Sequence, residues 1–484
     1  MISTLKQKAV SATIWSGIDT LARQGVQFGI TLILARLLTP TDYGTVGLLA
    51  IFFGVSGVFI NSGFSSALIQ RQEISDVDLS SVFYFNVCIA LLCTLLLCAA
   101  APCIAAFYNM PVLTPLTRLM AASLFIGAFG SIQSTLLSKS LNFRRQCIIS
   151  LAAVVVSGIV AVVLAWRNYG VWSLAISTVA GTCVTTLLLW LLSSWRPRLV
   201  FSVTSVRSLF RFGSFLLISG LLDTLFSRMN TLVIGKFYSP KDLGYYSRAD
   251  GTQQLPASLL ANIITRVAFP IFAAAHSDKE LLRTGLSKAI KMVMMLNIPV
   301  MLGMVVTARL LVLVLFGKQW LPCVHYLQIL CIGGIFWPLH VLNLDILTAQ
   351  GHSNLFFRLE VIKKVIGIFI LGTACFFGIN AIAWSTVVIG VIAFGINAHY
   401  SGLFLNYGTF RQTVDLLPYL AASLIMAFCV WTASMLPLQA PLLLLSTQIM
   451  IGVAVYILVC FSFRLSTFIE SIELMTTRLR NMSI

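Results

Sequence analysis

The chain has 484 residues, of which 58% are hydrophobic and only 10% are charged. Soluble domains carry about 25% charged residues, so this composition excludes an ordinary soluble protein and indicates one that lies in a membrane. The net charge of +17 does not indicate nucleic-acid binding, because the Lys and Arg residues lie between apolar runs rather than on one polar face.

Apolar runs follow one another along the whole chain. A membrane-spanning helix needs about 20 mostly apolar residues, and on that measure we predict an all-α polytopic membrane protein with about 14 spans. The predicted spans cover residues 12–34, 44–69, 80–107, 113–137, 146–165, 170–192, 212–235, 245–274, 287–315, 323–349, 361–377, 380–404, 416–436 and 441–463.

The loops between these spans are short, and the longest runs from Ser193 to Arg211. We expect it to separate an N-terminal lobe over residues 1–200 from a C-terminal lobe over residues 201–405. Residues 406–484 would then hold two additional spans and a cytoplasmic tail.

The distribution of basic residues predicts that both termini are cytoplasmic. With that orientation, 21 of the 32 Lys and Arg residues fall in cytoplasmic segments, five in the opposite loops and six within spans. The cytoplasmic set includes Lys363 and Lys364, at the start of the eleventh span. Cytoplasmic loops are enriched in Lys and Arg, so the asymmetry favours this topology.

One stretch of the chain occurs twice. Thr31 to Gly44 read TLILARLLTPTDYG, and Thr231 to Gly244 read TLVIGKFYSPKDLG. Each copy predicts a turn at Ser/Thr-Pro-x-Asp-x-Gly, in which Pro restricts φ, Asp bonds to the turn backbone and Gly permits unusual φ values. Six spans separate the copies, so both cross in the same direction. The repeat therefore predicts two six-helix lobes related by an axis along the membrane normal.

Ionisable residues lie in the apolar run that precedes each copy. Asp19 and Arg23 share one face of the first span, and Asp223 and Arg228 lie in the seventh. Because charged side chains within a span are costly, these four residues are candidates for function. Arg23 corresponds to Asp223 in the repeat, which leaves two hypotheses: a pair across a central cleft, or pairs within each lobe.

Three more candidate residues lie in the eighth and tenth spans. Arg248 and Arg266 are 18 residues apart and share one helix face. They form either a ladder for a moving anion or two side chains that reach separately towards the interfaces. Asp345 has no basic neighbour in sequence, and a carboxylate in a site of low dielectric can exchange a proton. Asp345 is thus a candidate for ion coupling, with Asp19 and Asp223, and its alternative role is helix packing.

Motifs of ATP-driven transporters and of enzymes are absent from the sequence. It contains no phosphate-binding Lys loop, no nucleophile elbow and no zinc-protease motif. The eleven cysteines include no C-x-x-C pair, and the five histidines are scattered. We expect no catalysis, no metal site and no cofactor.

Eight stretches together resemble one known family. They read ARLLTPTDYG, LNFRRQ, YGVWSLA, WRPRLVFS, GYYSRADGTQQLP, RVAFPIF, LFGKQWLP and RLEVIKK. In these stretches the chain is similar to the Wzx-type polysaccharide and O-antigen flippases, the polysaccharide transporter branch of the MOP (multidrug/oligosaccharidyl-lipid/polysaccharide) exporter superfamily. The resemblance is closest to the colanic-acid (WzxC-like) type.

The resemblance implies a fold and a function. The family fold, similar to that of MATE transporters, is two helical lobes around a central cavity. Such proteins move an undecaprenyl-pyrophosphate-linked oligosaccharide from the cytoplasmic to the periplasmic leaflet of the bacterial inner membrane by alternating access, while the prenyl tail stays in membrane lipid. Their product feeds O-antigen, capsule or exopolysaccharide assembly, which suggests the polysaccharide polymerase and chain-length machinery as further partners.

The resemblance also suggests which residues contact the cargo. Arginines that face a wet cavity would offset the desolvation of the pyrophosphate, and the candidates are Arg23, Arg228, Arg248 and Arg266. Sugars need hydrogen-bonding groups and aromatic faces, and the candidates are Tyr245, Tyr246, Gln253 and Gln254. The chain departs from the expected family pattern at Asp250, which would partly neutralise Arg248 if the two side chains paired.

Two other classes of function stay open. A cation-coupled multidrug exporter of the same superfamily would line its cavity with carboxylates, whereas six basic residues lie within the predicted spans against four acidic ones. A membrane-bound polysaccharide polymerase or ligase generally needs a sizeable external loop, which this chain lacks. We therefore expect an anionic cargo, with a proton gradient, a sodium gradient or the membrane potential as the driving force.

Overall fold

The computed structural model describes the backbone of residues 2–61, 63–71, 74–274, 278–350, 353–437, 439–465, 467–470 and 473. These residues form eighteen α-helices and one 3₁₀ turn at Lys318–Trp320. The helices are α1 (Ile2–Leu37), α2 (Pro40–Asn61), α3 (Phe64–Gln70), α4 (Asp76–Phe107), α5 (Leu113–Ala128), α6 (Ser131–Lys139), α7 (Phe143–Trp166), α8 (Val171–Leu192), α9 (Val203–Ser227), α10 (Met229–Phe237), α11 (Pro240–Ala274), α12 (Lys279–Leu315), α13 (Cys323–Gly334), α14 (Trp337–Ala349), α15 (Ser353–Ala374), α16 (Ile379–Leu405), α17 (Thr409–Ala433) and α18 (Pro441–Ser462).

Each predicted span coincides with one of these helices or with a consecutive pair. By length and composition, nine described helical stretches could cross a membrane, and up to eleven if α5–α6 and α9–α10 each form one bent span. The helices α1, α11 and α15 lie outside that set, and they carry Asp19, Arg248 and Lys363. The all-helical membrane fold is confirmed, whereas the count of fourteen spans is not.

Local sequence explains where several helices begin and bend. Ser75 and Asp78 cap the start of α4, because each side chain accepts a hydrogen bond from the other's backbone amide at 3.1 Å. The axis bends by 47° between α5 and α6, next to Gly130, and by 42° between α9 and α10. The residue at the second bend is Arg228, so a charged side chain lies where the helix is interrupted.

The chain divides by its internal contacts into two compact units, Met1–Gly244 and Tyr245–Ile484. In the first unit α9 packs against α2, α3 and α4, and α10 packs against α2. This unit therefore extends beyond residue 200, where the longest loop predicts a boundary. Compactness and internal repetition are different properties, so the division at residues 200 and 405 stays a prediction about the repeat.

Each unit has its own apolar core. In the first unit one cluster joins α3, α4, α6 and α9 and includes Phe64, Val82, Phe83, Ile132 and Leu209. In the second unit α12, α14, α16, α17 and α18 surround a cluster that includes Ile290, Met294, Leu342, Met426 and Tyr456.

Large apolar side chains also cover the outer surfaces of the helices. Phe376 is 83% exposed, Trp166 is 77% exposed and Leu458 is 66% exposed. Large apolar patches on a protein surface mark contact with a partner or with a membrane. In a chain of this composition, lipid covers them, as expected for a multi-pass membrane protein.

A pair of buried amides connects α14 with α17 in the second unit. Asn343 Nδ2 donates to Gln412 Oε1 at 2.9 Å, and Gln412 Nε2 donates to Asn343 Oδ1 at 2.8 Å. Both side chains are fully buried. Reciprocal bonding satisfies donors and acceptors that water cannot reach.

We expect Gln412→Leu to destabilise the protein by about 1–3 kcal/mol, because the buried amide of Asn343 loses its partner. The double variant Asn343→Leu/Gln412→Leu should recover most of that loss. The measurement is the thermal unfolding midpoint in detergent, with Gln70→Leu, at an exposed position, as the control. A single variant as stable as the wild type would contradict the assigned role of the pair.

Candidate transport site

Both copies of the repeated stretch end in a helix start. Pro40 is the first residue of α2 and Pro240 is the first residue of α11, a position where the missing amide hydrogen costs nothing. Gly44 and Gly244 lie inside these helices, and neither has a positive φ. The expectation that these glycines provide unusual φ values is therefore wrong, and close contact explains them instead.

Each helix start is capped by the Asp of the repeat. Thr39 donates from its backbone nitrogen and from Oγ1 to Asp42 Oδ2, at 2.9 and 2.7 Å. Ser239 Oγ donates to Asp242 Oδ2 at 2.6 Å. A carboxylate in the first turn also offsets the partial positive charge of the helix N-terminus.

The two helix starts contact each other within the first unit, and the contact is reciprocal. A Cβ added to Gly44 would lie 1.6 Å from the carbonyl oxygen of Pro240, and one added to Gly244 would lie 1.9 Å from the carbonyl oxygen of Pro40. No side chain fits at such distances. The repeated Pro-x-Asp-x-Gly thus builds one symmetric contact between its two copies.

Arg248 lies one turn beyond this contact and is held by aromatic rings. Its guanidinium carbon lies 4.9 Å from the ring centroid of Trp320 and 5.2 Å from that of Phe316. A guanidinium over aromatic faces is attracted by the ring quadrupoles and keeps its charge in a partly dehydrated place. The rings therefore position the Arg248 cation in the second unit.

Three of the four predicted sugar-contact residues are buried. Tyr245 packs edge-on against Trp320, with centroids 6.1 Å apart, and Tyr246 packs against Tyr326 at 6.4 Å. Gln253 is 6% exposed. In this conformation the three side chains pack within the protein, and their role towards sugar stays a prediction.

The fourth candidate, Gln254, is exposed on α11. Its Nε2 donates to Asp250 Oδ2 at 2.8 Å. The Asp250 carboxylate is thus bonded one turn along its own helix.

The charges of the first span have different surroundings. Asp19 accepts a hydrogen bond from Ser150 Oγ, which connects α1 with α7. Arg23 is exposed, and the ion pairs among the described residues do not include it. The i, i+4 spacing of Asp19 and Arg23 therefore does not produce an ion pair in this structure.

The remaining candidates lie on α9, α11 and α14. Asp223 and Arg228 are exposed at the end of α9, and Asp345 is half-buried on α14. Arg266 lies in α11, but its side chain is outside the described residues. The pairing of Arg23 with Asp223 and the arginine ladder both stay predictions.

A cavity of about 530 Å³ opens within the first unit, between α2, α5, α6, α7 and α8. Its described lining is small and hydroxyl-rich, with no charged side chain, and includes Ser157, Thr178, Thr182 and Thr186. Several of these hydroxyls donate to carbonyl oxygens of their own helix, as Ser157 does to Val154 at 3.0 Å. Arg23 and Arg228 are not among the described lining residues of this cavity, which offers hydroxyl acceptors to a neutral group.

Metal binding has no support in the described part of the chain. It contains no group of three or more His, Cys, Asp or Glu side chains that could hold an ion.

Comparison with known proteins decides the family. Residues 33–325, more than half of the chain, match the family described as "Polysaccharide biosynthesis protein". The chain belongs to this family.

Individual relatives agree with this assignment. The chain is 27% identical to the teichuronic acid biosynthesis protein TuaB of Bacillus subtilis (strain 168), over 88% of this chain and 89% of TuaB. It is also 27% identical to the lipopolysaccharide biosynthesis protein WzxC of Escherichia coli (strain K12), over 74% of each chain. The resemblance to Wzx-type polysaccharide biosynthesis proteins is confirmed.

A solved structure shows the same fold. The lipid II flippase MurJ, in an inward closed conformation, superposes with a TM-score of 0.78 at 18% identity, covering 93% of this chain and 99% of MurJ. At this level of identity the likeness establishes the fold, and the cargo has to be inferred from this chain's own residues.

The sequence prediction missed one cluster of ionisable side chains in this polysaccharide biosynthesis protein, which includes Glu360 and Lys363. Lys363 lies in the middle of α15 and is 7% exposed, although its position at the start of a predicted span suggests a cytoplasmic residue. The helix begins at Ser353, eight residues earlier than predicted, because Arg358, Glu360 and Lys363 lower the hydropathy without interrupting the helix. The i, i+3 spacing of Glu360 and Lys363 is the signal that could have shown it.

We expect Gly44→Ala and Gly244→Ala each to force the starts of α2 and α11 apart, because the added methyl would overlap a carbonyl oxygen. The matched control is Gly251→Ala, also on α11, where an added Cβ meets nothing within 4 Å. We expect a lowered unfolding midpoint and lost export for the first two variants, and wild-type stability or slightly better for the third. Equal behaviour of all three would show that the contact is not required.

Proposed function

We propose that this protein is a flippase that moves a lipid-linked oligosaccharide from the cytoplasmic to the periplasmic leaflet of the bacterial inner membrane. The carrier we infer is undecaprenyl pyrophosphate, and the product would supply O-antigen, capsule or exopolysaccharide assembly. Membership of the polysaccharide biosynthesis family supports the class of cargo. The relatives named for teichuronic acid and lipopolysaccharide biosynthesis support a polysaccharide precursor rather than a drug.

The observation that carries the proposal is the exposure of Arg23 on α1 and of Arg228 at the bend between α9 and α10 of a membrane protein. A guanidinium that faced hydrocarbon would be costly to desolvate. These two side chains therefore require water or an anion beside them. A pyrophosphate head group provides that anion, and its two phosphate groups match the fork of donors on arginine.

Other parts of the protein suit the phosphate and the sugar of such a cargo separately. Arg248 keeps a cation at a place defined by aromatic rings, where a phosphate could exchange water for a charge-assisted hydrogen bond. The neutral, hydroxyl-rich cavity of the first unit suits sugar hydroxyls rather than charged groups. The prenyl chain needs no protein cavity, because lipid solvates it equally well.

The same fold serves other transporters of the superfamily, so the choice of cargo depends on charge. A cation-coupled multidrug exporter would need carboxylates facing its substrate. Asp19 is instead bonded to Ser150, and Asp250 is bonded to Gln254. These contacts favour the anionic cargo.

The orientation follows from the same reasoning as the cargo. The excess of Lys and Arg in one set of loops supports cytoplasmic termini. A flippase in this orientation delivers its product to the leaflet where polymerisation occurs, so we infer contact with the polysaccharide polymerase and chain-length machinery.

Deletion of the gene tests the proposed function. We expect an undecaprenyl-linked glycan to accumulate on the cytoplasmic face, because synthesis continues while translocation stops. The measurement is lipid extraction and mass spectrometry, combined with a membrane-impermeant label that distinguishes the leaflets. If no lipid-linked sugar accumulates, the proposed cargo is wrong.

Substitution of the arginines tests the site. We expect Arg23→Ala, Arg228→Ala, Arg248→Ala and Arg266→Ala each to lower export about tenfold or more, since each removes a charge-assisted hydrogen bond to the head group. Arg→Lys at the same positions should restore part of the activity where charge alone suffices, and least at Arg248, where the planar group stacks on rings. Arg167→Ala, at an exposed helix end, is the control, and membrane abundance should be unchanged throughout. Export at the wild-type rate in the alanine variants would refute the cationic site.

A further inference from the structure

A cluster of ionisable side chains around the buried Lys363 joins α14 and α15 in the second unit. Lys363 exposes only 6% of its side chain, and its Nζ donates to Glu360 Oε1 at 2.5 Å. His340 Nδ1 lies 3.4 Å from the same Nζ. The cluster thus holds a cation, an anion and an imidazole together in the interior of a membrane protein.

Helix α16 completes the cluster with a neutral amide. Asn397 Nδ2 lies 2.8 Å from His340 Nδ1 and 3.3 Å from the His340 carbonyl oxygen. Because the carbonyl oxygen can only accept, the nitrogen end of the amide must face His340. The side chain of Asn397 is fully buried, so α14 and α16 are held by bonds that water does not replace.

Burial makes this cluster an expensive way to hold helices together. Removing the Lys363 ammonium from water offsets much of its attraction to Glu360, and an apolar side chain of similar size would serve packing equally well. Ionisable residues at such positions are functional candidates by default. The candidates from the sequence, Asp19, Asp223 and Asp345, do not include any member of this cluster.

The contacts determine where the His340 ring carries its proton. Both groups that face Nδ1, the Lys363 ammonium and the Asn397 amide nitrogen, are hydrogen-bond donors. Nδ1 must therefore be the unprotonated nitrogen that accepts, and the neutral ring carries its proton on Nε2. In this state the cluster has no net charge, because Lys363 and Glu360 cancel.

A proton that binds Nδ1 reverses these contacts. The proton occupies the lone pair of His340 Nδ1 that accepts the hydrogen bond from Asn397. It also leaves an imidazolium beside the Lys363 ammonium. The cluster then carries one net positive charge in a site of low dielectric, where like charges repel strongly. Lys363 or Asn397 must move away from His340 for the proton to stay.

No other charged group compensates for that proton in the described surroundings. Helix α12 presents the neutral Asn297, whose Nδ2 donates to the carbonyl oxygens of Gly334 and Ile335 at 3.2 and 3.3 Å. On α14 itself, Asp345 lies five residues from His340, about 140° around the helix. The groups that act electrostatically on His340 are Lys363 and Glu360.

The position of His340 allows such a change to move a helix. Helices α13 and α14 are separated by a break at Ile335 and Phe336, one turn before His340. A break in the backbone ladder is where a span can flex. The bonds to α15 and α16 therefore hold α14 just beyond the point where it can pivot.

We propose that His340 is a proton-binding site whose occupation releases α14 from α15 and α16 and so couples proton movement to transport. This inference rests on the proposed function, because it assigns the driving ion for the same flippase. The proton comes from water on one side and leaves from the same nitrogen to water on the other, so only an N–H bond forms and breaks.

The first test detects protonation of the His340 ring directly and requires no transport substrate. The whole chain, labelled with ¹⁵N-histidine, is placed in lipid nanodiscs and titrated by NMR from about pH 8 down to the lowest pH at which the protein stays folded. We expect one ring with its proton on Nε2 at the alkaline end, assigned by its loss in His340→Gln, and a protonated ring at the acidic end. A proton on Nδ1 at the alkaline end, or an imidazole that never protonates, would overturn the proposal.

The neutral double variant Lys363→Met/Glu360→Gln keeps the shape of the pair without its charges. We expect the NMR titration of His340 to shift in this variant, because the ammonium no longer faces Nδ1. An unchanged His340 titration would show that Lys363 does not control the site. If His340→Gln fails to reach the membrane, this double variant also serves for the transport test.

The second test measures export against external pH in a deletion strain that carries each variant. We expect the wild type and the control His399→Gln to change their export rate about tenfold over this range, and His340→Gln to lose that dependence. A His340→Gln variant that keeps the wild-type pH profile would contradict the coupling role. If the wild type exports no glycan, the proposed function fails, while the NMR titration still decides whether the proton site exists.

Discussion

The contact between the starts of α2 and α11 is the constraint that organises this end of the first unit. Gly44 and Gly244 approach the carbonyl oxygens of Pro240 and Pro40 more closely than any side chain would allow. The same proline, aspartate and glycine recur in both copies because the contact is symmetric. Each copy supplies a capped helix start, and the glycine of each copy contacts the proline carbonyl of the other.

The second unit holds Arg248 through its own aromatic side chains. Arg248 lies one turn after Gly244 on α11, and its guanidinium lies over the rings of Trp320 and Phe316. A shift of one residue would turn that cation by about 100° around the helix, away from both rings.

The protein accommodates ionisable groups within its helices in three ways. A hydroxyl from a neighbouring helix bonds to Asp19, aromatic rings hold Arg248, and Lys363 is surrounded by a carboxylate and an imidazole. Each solution lowers the cost of removing charge from water without removing the charge. Only in the last does the arrangement depend on whether a neighbouring ring is protonated, which is why it suits ion coupling.

The sequence by itself determined the properties that depend on composition and spacing. Apolar runs of sufficient length gave the helices, the repeat of Pro-x-Asp-x-Gly indicated two related halves, and the family motifs near Arg248 and Lys363 indicated polysaccharide transport. Tertiary structure alone decided which face of each helix is buried. Gly44 serves contact rather than φ, Tyr245 and Tyr246 are packed inside, and Lys363 is enclosed with His340 and Asn397, residues far from it in the chain. Such groupings depend on the rotation and register of one helix against another, and helical periodicity within a single segment carries no information about either.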